Sequence, residues 1–317
     1  MAAKKTRRLT TRTRTRSRGK RPPWYARVLG TKWFLNTLFI LMALGAVSLL
    51  VQLIWTRAQD SATFRVNTSQ WRSPIPQYIT LTQADLSARL HEDAYLAARH
   101  SIFDKDLPTN IARRYETLPF VRKVTRVDKR YPNTVRVDVE WRTPMGRVQA
   151  GEGAYLVDGD GVLLDPAIYD ESKLEYPPLI IQSVAAVESV PSCGAPWPNE
   201  DVVAAAKMAE FLQPLFGDLL RMQKDRQVDM ITAIDVRNFG TDAKSRILLL
   251  TAGGKVFKWG NPVGAESANE PRAATKLANL RKLYAASPNL TTYKDQPLKT
   301  WIALQWFESE IVTSDKE

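Results

Sequence analysis

The chain has 317 residues, enough for about two folded units at ~150 residues each. With 44% hydrophobic and 25% charged residues it is globular material, neither disordered nor collagen-like, and its one cysteine, Cys193, excludes an internal disulfide or a multi-cysteine zinc centre. The net charge of +12 sits in residues 1–32, which hold twelve Lys and Arg and no acid, so the neutral remainder offers no folded basic surface and argues against nucleic acid as a partner.

Residues 10–18 alternate Thr or Ser with Arg, a self-repelling run that cannot fold alone and that serves as a topology signal lying on anionic lipid. Residues 33–55 follow without a charge. As a helix this span is about 34 Å long, enough to cross a hydrocarbon core of about 30 Å. Trp33 and Trp55 sit at its ends, where amphipathic rings prefer the headgroup level. A cleaved signal peptide would have a shorter apolar region, so the span reads as a retained anchor. Cationic flanks stay cytoplasmic, which places the amino terminus inside and the rest outside.

Residues 62–67 form a strand candidate. Thr82 and Asp85 form a capping box that opens a helix with Leu86 and Leu90 on one face. Pro108 opens a second helix with Ile111, Tyr115 and Leu118 as its stripe. Residues 134–141 alternate, with Val135, Val137, Val139 and Trp141 facing one way and Arg136, Asp138 and Glu140 the other: a half-buried strand. Asp158-Gly159-Asp160-Gly161 is a hairpin turn between residues 155–157 and 162–164; a calcium loop would need an oxygen donor and a glycine where Val162 and Leu163 stand. Residues 201–223 are helical, with Pro214 expected to kink or split them. Strands are expected at 231–237, 246–251, 255–259 and 300–307, with a helix from Pro271 to about residue 286. The final strand candidate carries Trp301, Trp306 and Phe307. Being last, it is expected at a sheet edge, with Trp306, Phe307 and the neighbouring Gln305 as partner-binding residues.

No catalytic constellation stands out. His100 near Asp104 is a weak base pair, His91 closes a helix, and Asp158 and Asp160 are turn residues, so no catalytic, cofactor or metal role is assigned.

A family resemblance rests on three runs. Leu118-Pro119-Phe120-Val121-Arg122-Lys123-Val124 with Arg130-Tyr131-Pro132-Asn133-Thr134-Val135-Arg136-Val137-Asp138-Val139-Glu140 and Pro144 is the first. Ala154-Tyr155-Leu156-Val157-Asp158-Gly159-Asp160-Gly161-Val162-Leu163 and Lys276-Leu277-Ala278-Asn279-Leu280-Arg281-Lys282-Leu283 follow in order. Together with the anchor, they resemble the bacterial cell division family FtsQ/DivIB. The opening strand departs from the family pattern after Val66, and Ala303-Leu304-Gln305 departs from the triplet near its last strand. The resemblance implies an α+β chain: a single transmembrane helix, then a β-α-α-β-β POTRA-type domain, then a larger β-rich domain with packed helices. The divisions are a basic cytoplasmic tail (1–32), the span (33–55), the POTRA-type domain (61–143), the β-rich domain (144–307) and a polar tail (308–317). It further implies a non-enzymatic septal scaffold in the cell inner membrane, a type II single-pass protein with a periplasmic carboxyl-terminal domain. Its last strands would pair with membrane partners of the FtsB/FtsL type. The alternatives are a signal-anchored periplasmic cell-wall enzyme and a POTRA-containing secretion or envelope-assembly protein.

Overall fold

The computed structural model describes residues 32–66, 71–92, 100–187, 189–241, 246–293, 296–304 and 312–314. The chain is mixed α and β and divides into two units, residues 1–61 and residues 62–317.

The first unit contains α1 (Lys32–Asp60). It is apolar on every side, and Phe39, Leu44, Leu49 and Ile54 are all exposed, as in a helix made for a hydrophobic solvent. It is long and apolar enough to cross a membrane.

The second unit opens with a single 3-10 turn over Ala62–Phe64 and β1 (Arg65–Val66), shorter than the expected strand. There follow β2 (Trp71–Arg72), α2 (Gln83–His91), β3 (His100–Ser101), α3 (Leu107–Glu116), β4 (Val121–Arg130) and β5 (Thr134–Trp141). The capping box forms as expected: Thr82 accepts from the Asp85 N–H, and Asp85 accepts from the Thr82 N–H at 2.8 Å. β2 runs parallel to β5, and β5 antiparallel to β4, in a three-stranded sheet; β1 and β3 pair separately. Leu86 and Leu90 of α2 and Ile111 and Tyr115 of α3 are buried with Trp71, Val135 and Val137 in one core. Val139, expected to be buried, is only partly so, beside an irregularity in the β4–β5 register. Residues 156–169 complete this core from further along the chain: Leu156, Leu164, Ile168 and Tyr169 join it, and Ile79 bridges to Tyr169.

The remaining elements are β6 (Gly146–Ala150), β7 (Gly153–Val157), β8 (Leu179–Gln182), α4 (Glu200–Gln223), β9 (Ile231–Asp235), β10 (Ile247–Thr251), β11 (Val256–Gly260), α5 (Ala273–Ala286), β12 (Thr292–Tyr293), β13 (Gln296–Pro297), β14 (Trp301–Ala303) and β15 (Val312–Ser314). Eight of them form one sheet in the order β15-β14-β11-β10-β9-β8-β6-β7. β8 and β9 are parallel, so the chain must cross over between them, and α4 is that crossover; α5 does the same between β11 and β14. Both crossovers step the same way along the sheet from strands of the same direction. The right-handed rule then puts both helices on one face. The second core is built there, from Leu212 and Leu219 of α4, Leu280 and Tyr284 of α5, and Ile181, Ile234, Leu249, Phe257 and Ile302 of the sheet. α4 is not split: it runs through Pro214, whose position is exposed, so the backbone carbonyl freed one turn earlier is near water.

Candidate partner-binding edge and its supports

At the carboxyl-terminal side of the sheet, β11 carries β14, and β14 carries β15. The Val256 N–H donates to the Thr300 carbonyl at 2.8 Å, and the Leu304 N–H to the Lys258 carbonyl at 3.0 Å. Ile302 and Leu304 drop into the helix-covered core. Trp301 points to the other face, half-buried, with the Lys258 ammonium 5.1 Å from its ring centroid.

This corrects the expected terminal edge. The segment over residues 300–307 is described as a strand only at Trp301–Ala303, and there it is flanked on both sides. The outermost strand is β15, from the run expected to be a polar tail: Trp301 faces Ser314, Ile302 faces Thr313 and Ala303 faces Val312. Trp306, Phe307 and Gln305, the expected partner-binding residues, lie outside the described residues. Among the described residues no strand pairs with the outer side of β15, so its backbone groups there are a template for an added strand.

A loop locked by a buried ion pair supports this end of the sheet. Lys276 of α5 donates to Glu270 at 2.5 Å, and the two side chains are 0% and 5% exposed. The Lys276 ammonium also sits 4.9 Å from the Trp259 ring centroid. Glu270 accepts from the N–H of Asn261, just past β11, at 2.8 Å and from its side-chain amide at 2.6 Å. Burial pushes the Glu270 carboxyl up, but these hydrogen bonds outweigh it, so it titrates below its ordinary range; burial pushes the Lys276 ammonium down against the pull of Glu270. Its spacing, four before Leu280 and seven before Leu283, puts Lys276 on the apolar face of α5, but a lysine reads as a surface residue.

The paired aspartates have a structural use. Asp158 accepts from the N–H groups of Asp160 and Val162 at 3.0 and 2.8 Å and is held by Arg142. Asp160 takes a two-toothed contact from Arg122 of β4. Gly161 completes the turn with φ +76°, and a Cβ there would stand 3.1 Å from the Val203 backbone of α4. Guanidinium groups thus occupy the positions a cation would need. Among the described residues no group of three or more His, Cys, Asp or Glu could hold a metal ion. His91 ends α2 exposed, His100 lies in β3 opposite Val66, and Asp104 accepts from the Asp106 N–H. Trp33 and Trp55, the expected interfacial anchors, are both exposed on α1.

No family model matches the chain, and no curated protein matches it.

Proposed function

We propose that this chain is a bitopic scaffold of bacterial cell division. It is held in the inner membrane by residues 33–55, with its amino terminus in the cytoplasm and its folded region in the periplasm, and it joins division proteins at the septum by protein–protein contacts. The observation that carries the reading is the order β2-α2-β3-α3-β4-β5 with β2 parallel to β5; without β3, which pairs outside the three-stranded sheet, it is the order that the resemblance to a POTRA-type domain implies. The twelve cations before Trp33 support the orientation. Among the described residues no strand covers the outer side of β15, which supports a partner that binds by strand addition, as a membrane partner of the FtsB/FtsL type would; Gln305, Trp306 and Phe307 lie in the link between β14 and β15.

A fluorescent fusion to the full chain tests the reading. Accumulation at midcell in dividing cells is the expected result. An even distribution around the envelope would sink it and favour an envelope-assembly role.

A further inference from the structure

Three aromatic rings of the second unit form a row. Phe64 follows four residues after Asp60. Its ring lies 5.1 Å from that of Phe103, and Phe103 lies 5.6 Å from Tyr131. Tyr131 stands at the tip of the β4–β5 hairpin. Outside α1, only Tyr131 and Val190 are large apolar side chains left exposed among the described residues, at 65% and 38%. A tyrosine standing out at a hairpin tip presents an apolar ring with a polar end, the form that suits a membrane interface.

The surroundings are cationic. Arg65 follows Phe64 and is exposed; Arg130 precedes Tyr131 and is exposed, while the half-buried Lys129 donates to the Asp104 carbonyl. Asp128 pairs with Arg126 at 2.7 Å, and Asp104 accepts from the N–H of Asp106, itself exposed. A tyrosine flanked by cations fits the headgroup layer, where its ring enters the apolar boundary, its hydroxyl stays wet and the cations meet lipid phosphates.

Chain length supplies the occupant. From Trp55 to Asp60 the helix rises about 7.5 Å. Four more residues reach at most about 14 Å. Phe64 therefore stays within about 21 Å of the level of Trp55, and the tether keeps the ring ladder at high local concentration over the bilayer.

We propose that the ladder Phe64, Phe103 and Tyr131, with Arg65 and Arg130, is a membrane-resting patch whose ligand is anionic phospholipid of the leaflet from which α1 emerges. The patch rests on α1 being membrane-spanning. It does not depend on the division partners.

The test uses the full chain with Cys193→Ser, reconstituted in vesicles of phosphatidylcholine with or without phosphatidylglycerol. A single fluorophore is placed by Asn133→Cys, two residues past Tyr131, and in separate samples by Asp225→Cys or Gly45→Cys. Nitroxide lipids, labelled on the headgroup or the acyl chain, quench the fluorophore. The expected result is headgroup quenching at position 133 in phosphatidylglycerol vesicles at least about twofold stronger than at position 225, and weaker without the anionic lipid. Tyr131→Ser with Arg130→Glu removes about half of it or more while circular dichroism stays unchanged, because both side chains are exposed. Equal quenching at 133 and 225, quenching indifferent to those substitutions, or quenching that appears only when another membrane protein is added would overturn the proposal. Acyl-chain quenching at position 45 without headgroup quenching at 133 refutes the patch alone. No quenching at position 45 refutes the anchor, and the patch with it.

Discussion

Arg122 of β4 grips Asp160 of the turn after β7 with two nitrogens, Nε at 2.9 Å and Nη2 at 3.0 Å. Its Nη1 reaches Glu210 of α4 at 2.7 Å. One guanidinium thus ties the three-stranded sheet to a turn and a helix of the larger sheet. The side chains are about one-third to one-half exposed, so solvent screens them and the coupling is modest despite the two-toothed geometry. A double-mutant cycle with Arg122→Ala and Asp160→Asn, read by urea unfolding of residues 62–317, is expected to give about 1 kcal/mol of coupling. Zero coupling would show that the grip is decorative.

The β5 strand gives a sharper contrast. Val137 is fully buried, and Arg136 is exposed and bonded to Asp138 at 2.8 Å. Val137→Asp buries a charge with no partner and should cost about 3 kcal/mol or more. Arg136→Ala should stay within about 0.5 kcal/mol. Equal losses would mean that the strand is covered on both faces.

The buried pair below Trp259 predicts a rescue. Lys276→Met leaves Glu270 charged and enclosed, and should cost about 3–5 kcal/mol. Adding Glu270→Gln should recover more than half of that, because the amide oxygen can still accept from Asn261 while the buried charge is gone. Thermal melting of the single and double variants measures it; a double variant no better than the single would place the energy elsewhere.

Asp235 sets part of the acid limb. Its side chain is fully buried, and burial raises its carboxyl, but hydrogen bonds from Arg237 and Gln182 outweigh that and leave it below its ordinary value. A carboxyl depressed in the folded state contributes stability that is fully present above its unfolded value of about 4 and is lost as pH falls through the folded value. Glu270 acts in the same direction. Urea midpoints should therefore drop between pH 5 and pH 3, and Asp235→Asn should flatten that drop while lowering the midpoint at pH 7. An unchanged slope would remove Asp235 from the acid limb.

Topology is the fifth prediction. A reporter active only in the periplasm should work when fused after residue 317 and fail when fused before Trp33. Neutralising the twelve basic residues should mix the two orientations. A cytoplasmic carboxyl terminus would refute the proposed orientation.

Strong local signals were legible in the sequence. Thr82 with Asp85, the alternation along β5 and the apolar stripes of α4 and α5 each carry their own geometry, and each forms. β6 and β8 were missed because β6 carries Val148 as its one large apolar residue and β8 follows directly on Pro177 and Pro178. Pro214 misled because its effect depends on whether water reaches the freed carbonyl, which only the packing of α4 decides. The terminal edge was misplaced for a related reason: order along the chain does not fix order across a sheet, and β15 returns beside β14. Lys276 and Arg122 look like surface cations until their partners, brought in by the fold, enclose or bind them.

The first core also has a timetable. Val135 and Val137 leave the ribosome before Leu156, Leu164, Ile168 and Tyr169, which finish the core they belong to. At about 5–20 residues per second, the interval between Trp141 and Tyr169 lasts roughly one to six seconds. For that time one flank of the new sheet is uncovered, open to chaperones and to collapse on neighbouring chains. A pause between the emergence of Trp141 and that of Leu156 would lengthen the exposure, whereas a pause after Tyr169 has emerged would come when this core can already close.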